Sequence, residues 1–132
     1  IVLPDYHLPT REARGALPRL VALADAVANI GRTALVVEAL RSGDRELLYQ
    51  AMSDRLHQPY RLPLIPGAQD ALQLAWQRGV PAALSGAGPA LIAFPGAGAE
   101  EVINGMRAAF SAAGVESRSW VLGISTVAMQ IT

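Results

Sequence analysis

Apolar residues recur at three- and four-residue steps through most of the chain and form only a few short continuous runs, a pattern that predicts several helices and a small number of brief strands. Ile1-Val2-Leu3 is a short apolar run closed by Pro4-Asp5, expected as a strand followed by a turn. Thr10 is placed to N-cap a helix over residues 11–17, with Glu12 in the first turn favoured by the helix dipole and Pro18 ending the helix. The longest helical pattern runs over residues 19–41, carried by Leu20, Leu23, Val27, Ile30, Ala34, Val37 and Leu40. Gly43 stops it, and Asp44 caps a further helix that reaches Met52.

Residues 54–66 contain three prolines and little periodicity, which predicts an ordered loop with one turn of helix. Pro66 suits the first position of the next helix, which carries Ala71, Leu72, Ala75 and Trp76 and stops at Gly79. Residues 80–84 and 90–94 read as strands flanking the glycine-rich turn Ser85-Gly86-Ala87-Gly88-Pro89. An amphipathic helix over residues 100–113 ends at Gly114, and residues 115–122 and 124–131 read as extended. Helices set against a small, mostly antiparallel sheet make an α+β two-layer sandwich. The order after Pro66 is most of a ferredoxin-like split βαβ unit, with residues 1–3 as the missing strand and the remaining helices as N-terminal additions.

Composition narrows the function. A chain of 132 residues with 52% hydrophobic and 17% charged residues fits one globular domain, and 5% aromatic content leaves a core of Ala, Leu, Val and Ile. Eleven basic residues balance eleven acidic ones, which argues against a nucleic-acid partner held through phosphates. With no cysteine, disulfide frameworks and thiol nucleophiles are excluded, and His7 and His57 are too few and too far apart to suggest a metal site. No apolar run approaches the ~20 residues of a membrane-spanning helix. Every basic residue is Arg, so no lysine Schiff base or P-loop lysine is available. The start at Ile1, with neither an initiator Met nor a signal-peptide pattern, reads as the interior of a longer polypeptide.

Three stretches carry candidate chemistry. In Ser85-Gly86-Ala87-Gly88-Pro89, small residues would let backbone N–H groups approach an anion, although a plain tight turn explains the glycines equally. Thr10 and Arg14, four residues apart on a helix, pair a hydroxyl with a guanidinium, which suits a phosphate or carboxylate; an ordinary cap and a solvated Arg is the alternative. Asp54-Arg55-Leu56-His57-Gln58-Pro59-Tyr60-Arg61 is a dense polar loop that would line a site or simply face water. No nucleophile–base pattern or metal-ligand cluster accompanies them.

Taken together, these stretches resemble the C-terminal domain of the homoserine kinases, members of the GHMP small-molecule kinase superfamily. Further matches are Asp25-Ala26-Val27-Ala28-Asn29, Leu64-Ile65-Pro66-Gly67 and Leu91-Ile92-Ala93-Phe94, so that residues 1–132 read as one such domain. The resemblance implies phosphorylation of L-homoserine by ATP and Mg2+ to O-phospho-L-homoserine for threonine biosynthesis, in the cytoplasm. By position it implies that Arg14 and Arg61 hold the substrate carboxylate and that Thr10 lies by the transferred phosphoryl group. Ser85, Gly86, Ala87 and Gly88 would border the substrate, with His57 an open candidate. It also implies a partner, the family's N-terminal ATP-binding domain; that domain's Gly-Leu-Gly-Ser-Ser loop does not occur in this sequence, so these residues alone are expected not to turn over. Homodimerisation is common in the family. Two alternatives stay open: another GHMP kinase, for example of mevalonate type, and a non-catalytic amino-acid or anion-binding domain.

Overall fold

The computed structural model describes residues 1–123. Four three-residue strands, β1 (Val2–Pro4), β2 (Ala82–Leu84), β3 (Leu91–Ala93) and β4 (Ser117–Ser119), pair antiparallel in the order β2-β3-β1-β4. This is the strand order and orientation of a ferredoxin-like sheet, in which β1 fills the gap between β3 and β4 as the sequence predicted. Val2 opposes Leu91, and Leu91 opposes Leu84, so these three side chains share one face.

That face is covered by α5 (Ala68–Gln77) and α6 (Ala99–Ala112). On α5 the spacing Ala68, Ala71, Leu72, Ala75 places four fully buried residues on one stripe; on α6, Val102, Met106 and Phe110 do the same. Small alanines let the two helices approach closely, and Gly67 sharpens the approach: a Cβ there would sit 2.9 Å from the Phe110 Cα. The core is built chiefly from Ala, Leu, Val and Ile, with Phe110 and Met106 as its large closing pieces. Helix against sheet confirms the α+β two-layer arrangement.

The remaining helices are α1 (Thr10–Gly15), α2 (Leu23–Ser42), α3 (Arg45–Ala51) and α4 (Gln58–Arg61), the last running into a 3-10 turn, Leu62–Leu64. Gly43 closes α2 at a φ of 75°, and the Asp44 carboxylate accepts from the Leu47 amide at 2.9 Å, both as predicted. The α2–α3 hairpin is tied to the sandwich by the Tyr49 hydroxyl donating to the Trp76 carbonyl at 3.0 Å. A second tie runs from Arg45 to the Phe94 carbonyl at 3.4 Å.

Several boundaries differ from expectation. Thr10 is not an N-cap: α1 begins at Thr10 itself, Pro9 takes the cap position, and no side chain caps the helix. α2 starts at Leu23 rather than Arg19, because the chain stays extended at Ala22 and residues 19–22 are exposed with nothing to pack against. Pro66 precedes α5 without entering it, since Gly67 adopts φ 79° at the cap. The predicted strands shrink to three residues each, and β4, bonded only to β1, spans much less than residues 115–122. The extended segment expected at 124–131 lies outside the described residues. No helix among the described residues is long and apolar enough to cross a membrane.

Candidate functional site

The three candidate stretches come together around the far side of Ile65 and Leu8. A Cβ on Gly88 would sit 2.8 Å from Ile65 Cδ1 and 3.2 Å from Leu84 Cδ2, and the backbone takes φ 85° there, which favours glycine; Leu8 Cδ2 would lie 4.0 Å away, in ordinary contact. Within the turn, the Ser85 amide donates to the Ala90 carbonyl at 2.8 Å and the Gly88 amide to the Ser85 carbonyl at 3.2 Å. The Gly86 and Ala87 amides have no backbone acceptor among the described residues and are the two donors left for an anion.

Arg61 joins the polar loop to α1. Its Nε donates to the Ala13 carbonyl at 3.1 Å, which holds one guanidinium beside the residue that follows, Arg14. Arg14 is exposed and makes no side-chain hydrogen bond or ion pair among the described residues. Thr10 is exposed one turn before it on the same short helix. Two arginine forks, one anchored and one uncommitted, therefore stand on adjacent segments, with the anion-capable turn packed against the same Leu8 approach.

A largely half-buried polar network, with Gln58 its buried member, ties α2 to this loop. The Asp54 carboxylate accepts from the amides of His57 at 2.8 Å and Gln58 at 2.6 Å, and from the Asn29 side-chain amide of α2. Asn29 Oδ1 in turn accepts from the Arg55 amide at 3.0 Å, and Asp25 accepts from Arg55 at 3.2 Å. Gln58, 3% exposed, accepts from the Leu84 amide at 2.8 Å, one residue before the glycine turn. One loop thereby carries Arg61 on one side and fixes the end of β2 on the other.

Partial burial pushes the Asp54 carboxyl up, but the Gln58 and His57 amides, the Asn29 amide and the His57 side chain together outweigh it and hold the carboxyl below the ordinary range. His57 sits between the two ends of this network: Nε2 is 3.8 Å from Asp54, and Nδ1 is 3.4 Å from Arg61 Nη1. A guanidinium only donates, so Arg61 bonds to Nδ1 only when that nitrogen carries no proton. His57 thus lies between Arg61 and Asp54.

Sequence reasoning, through the family resemblance, groups Thr10, Arg14, Arg61 and Ser85 to Gly88 in one site; the structure links Arg61 to Ala13, next to Arg14, and sets Gly88 near Leu8. Sequence reasoning did not identify Gln58 or Asn29 as organisers of that neighbourhood. The available signal was the pair Asp25 and Asn29, two polar residues four apart in the apolar first half of α2.

Comparison with known proteins agrees with this architecture. Residues 36–112 match the family described as GHMP kinases C terminal. A homoserine kinase of Thermus thermophilus is 47% identical over 125 residues, covering 94% of this chain and 42% of that protein. A homoserine kinase of Moorella thermoacetica is 45% identical over 117 residues, covering 88% of this chain and 40% of that protein. The crystal structure of homoserine kinase from Cytophaga hutchinsonii superposes with a TM-score of 0.80 at 32% identity, over 89% of this chain and 38% of that one. The chain therefore spans about two fifths of the length of the relatives it matches. It belongs to the GHMP kinase family and has that family's C-terminal domain fold.

Proposed function

We propose that the full-length protein is a cytoplasmic homoserine kinase and that this chain supplies the wall of the site that grips the amino-acid substrate. The observation that carries this reading is the hydrogen bond from Arg61 to the Ala13 carbonyl, which sets an anchored guanidinium beside the uncommitted Arg14. Two forks on one α-carboxylate fix a small amino acid in one orientation and leave its side-chain hydroxyl to face the phosphoryl donor. The names and 40–47% identities of the relatives support homoserine as that amino acid.

In this reading Thr10 presents its hydroxyl beside the transferred group, and the Gly86 and Ala87 amides border its oxygens. Ser85 and Gly88 shape the turn, and His57 holds Arg61. ATP and Mg2+ would supply the phosphoryl group and its charge neutralisation. Among the described residues no three His, Asp or Glu side chains cluster as a metal site. The nucleotide and its metal are assigned to the rest of the protein, and the 132-residue chain alone is expected to be inactive.

The test is ADP release by the full-length protein and by this chain, each given Mg-ATP with L-homoserine, mevalonate or no acceptor. Turnover with homoserine alone, and only in the full-length protein, is the expected result. Turnover with mevalonate would keep the family and overturn the substrate. Turnover by this chain alone would overturn the half-site reading, and no turnover by either would favour a binding domain.

A further inference from the structure

Among the described residues, strand β2 is an edge of the sheet, paired with β3 on one side only. The groups along it that bond toward β3 belong to odd positions: the Pro81 carbonyl accepts from the Phe94 amide at 2.9 Å, and the Ser85 amide donates to the Ala90 carbonyl at 2.8 Å. Backbone groups alternate in direction along an extended chain, so the even positions turn theirs outward. Two side chains meet them there. The Trp76 indole N–H donates to the Ala82 carbonyl at 2.9 Å, and Gln58 Oε1 accepts from the Leu84 amide at 2.8 Å. Trp76 belongs to α5, which already packs on the sheet, whereas Gln58 comes from the loop that bears Arg61.

A glutamine is mostly an exposed residue, yet Gln58 is buried, with its side-chain oxygen bonded to the residue just before the glycine-rich turn. Its backbone is held as firmly. The Gln58 amide donates to the Asp54 carboxylate at 2.6 Å, and the Gln58 carbonyl accepts from the Leu62 amide, closing the turn of helix that contains Arg61. The same loop meets the glycine-rich turn a second time, through Ile65 against Gly88. Arg61 lies between these two contacts, three residues after Gln58 and four before Ile65. The guanidinium and the turn are thus parts of one frame, and the Gln58–Leu84 bond is its polar strut.

We infer that Gln58 is a specificity-determining positioning residue: through the Leu84 amide it sets the separation between Arg61 and the turn at 85–88, and thereby the length of amino acid that the site accepts. The inference rests on the reading above, in which Arg61 grips the α-carboxylate and the Gly86 and Ala87 amides border the transferred group. A substrate then has to span from one to the other. A hydroxyl one methylene short or long misses the reacting geometry, where a misplacement of about 1 Å costs about a hundredfold in rate. Gln58 acts on that span through Arg61 and Leu84, not on the substrate itself.

The test measures kcat/KM of the full-length protein, under Mg-ATP, with three acceptors: L-homoserine, L-serine, which is one methylene shorter, and the homologue one methylene longer. Gln58→Met keeps the length of the side chain and removes its amide oxygen. Gln58→Asn keeps the amide and withdraws it by one methylene, so that one variant's failure to fold leaves a readable result. Gln58→Glu keeps an acceptor oxygen in place. In the Met and Asn variants the preference for homoserine over the better homologue is expected to fall at least about fivefold, with the KM for ATP unchanged. In Gln58→Glu the preference is expected to stay within about twofold of the parent protein's. A purely structural role would lower all three acceptors in proportion, and an unchanged preference would overturn the inference; so would an equal loss of preference in Gln58→Glu. A parent protein that turns over no acceptor fails the kinase reading and this inference with it, whereas an unchanged preference beside an active parent fails the inference alone.

Discussion

Helices α5 and α2 both carry apolar stripes at three- and four-residue spacing, and the two stripes meet opposite fates. On α5 the apolar stripe, Ala68, Ala71, Leu72 and Ala75, is fully buried against the sheet, and its polar residues face water. On α2 the apolar stripe is the exposed side, and the side packed within this chain carries Asp25, Asn29 and Arg32. Burying a polar edge is costly unless it is hydrogen-bonded, and here Asp25 and Asn29 are satisfied by the loop that bears Arg61. Arg32 is the exception, with a buried Nη1 that has no partner among the described residues. The contrast teaches that an apolar stripe predicts a helix without deciding which of its faces packs, whereas a hydrogen-bonded polar edge marks where the helix is tied to a loop.

The contrast can be broken or sharpened by substitution. The largest effect is expected in the core: Phe110→Ala should cost about 3–5 kcal/mol in urea unfolding. On the other side of the comparison, Ile30→Ala in this chain alone should stay within about 0.5 kcal/mol. A large loss there would mean the stripe is covered already in the isolated chain. Next comes Arg61→Ala in the full-length protein, expected to raise the KM for homoserine at least about tenfold, roughly 1.4 kcal/mol or more, with the KM for ATP unchanged. Equal effects on both substrates in initial-rate kinetics would remove Arg61 from the carboxylate.

Gln58→Leu tests the polar organisation directly. It strands the buried Leu84 amide and should cost about 1–3 kcal/mol in urea unfolding despite adding apolar surface. The smallest effect is pH-dependent. The Asp54 carboxyl is held low in the folded chain, so its stabilising contribution is complete above the unfolded value, about 3.9, and is lost as pH falls through the lower folded value. Asp54→Asn should flatten this part of the acid unfolding curve, and an unchanged curve would place the acid sensitivity elsewhere.

Much of this was legible in the residues themselves. Gly43 and Asp44 fixed the α2–α3 junction because a left-handed C-cap and an Asx N-cap are local devices, decided within four residues. Thr10 misled for the same kind of reason: a hydroxyl ahead of a helical pattern is a good cap, but the preceding Pro9 already held the cap position. Gln58 was invisible as a site organiser, since a glutamine's value depends on which distant amide faces it, here Leu84, 26 positions away.

The sequence by itself determined the helices, the turn chemistry and the α+β class, because each follows from neighbours along the chain. Only the tertiary structure decided which face of α2 packs, that Arg61 rests on Ala13, and that one loop fixes both the guanidinium and the glycine turn. Those contacts join residues 26 to 48 positions apart, and no local preference specifies them. They arise when the sheet and its two helices close and leave the polar groups of α2 and the loop no better partners than each other.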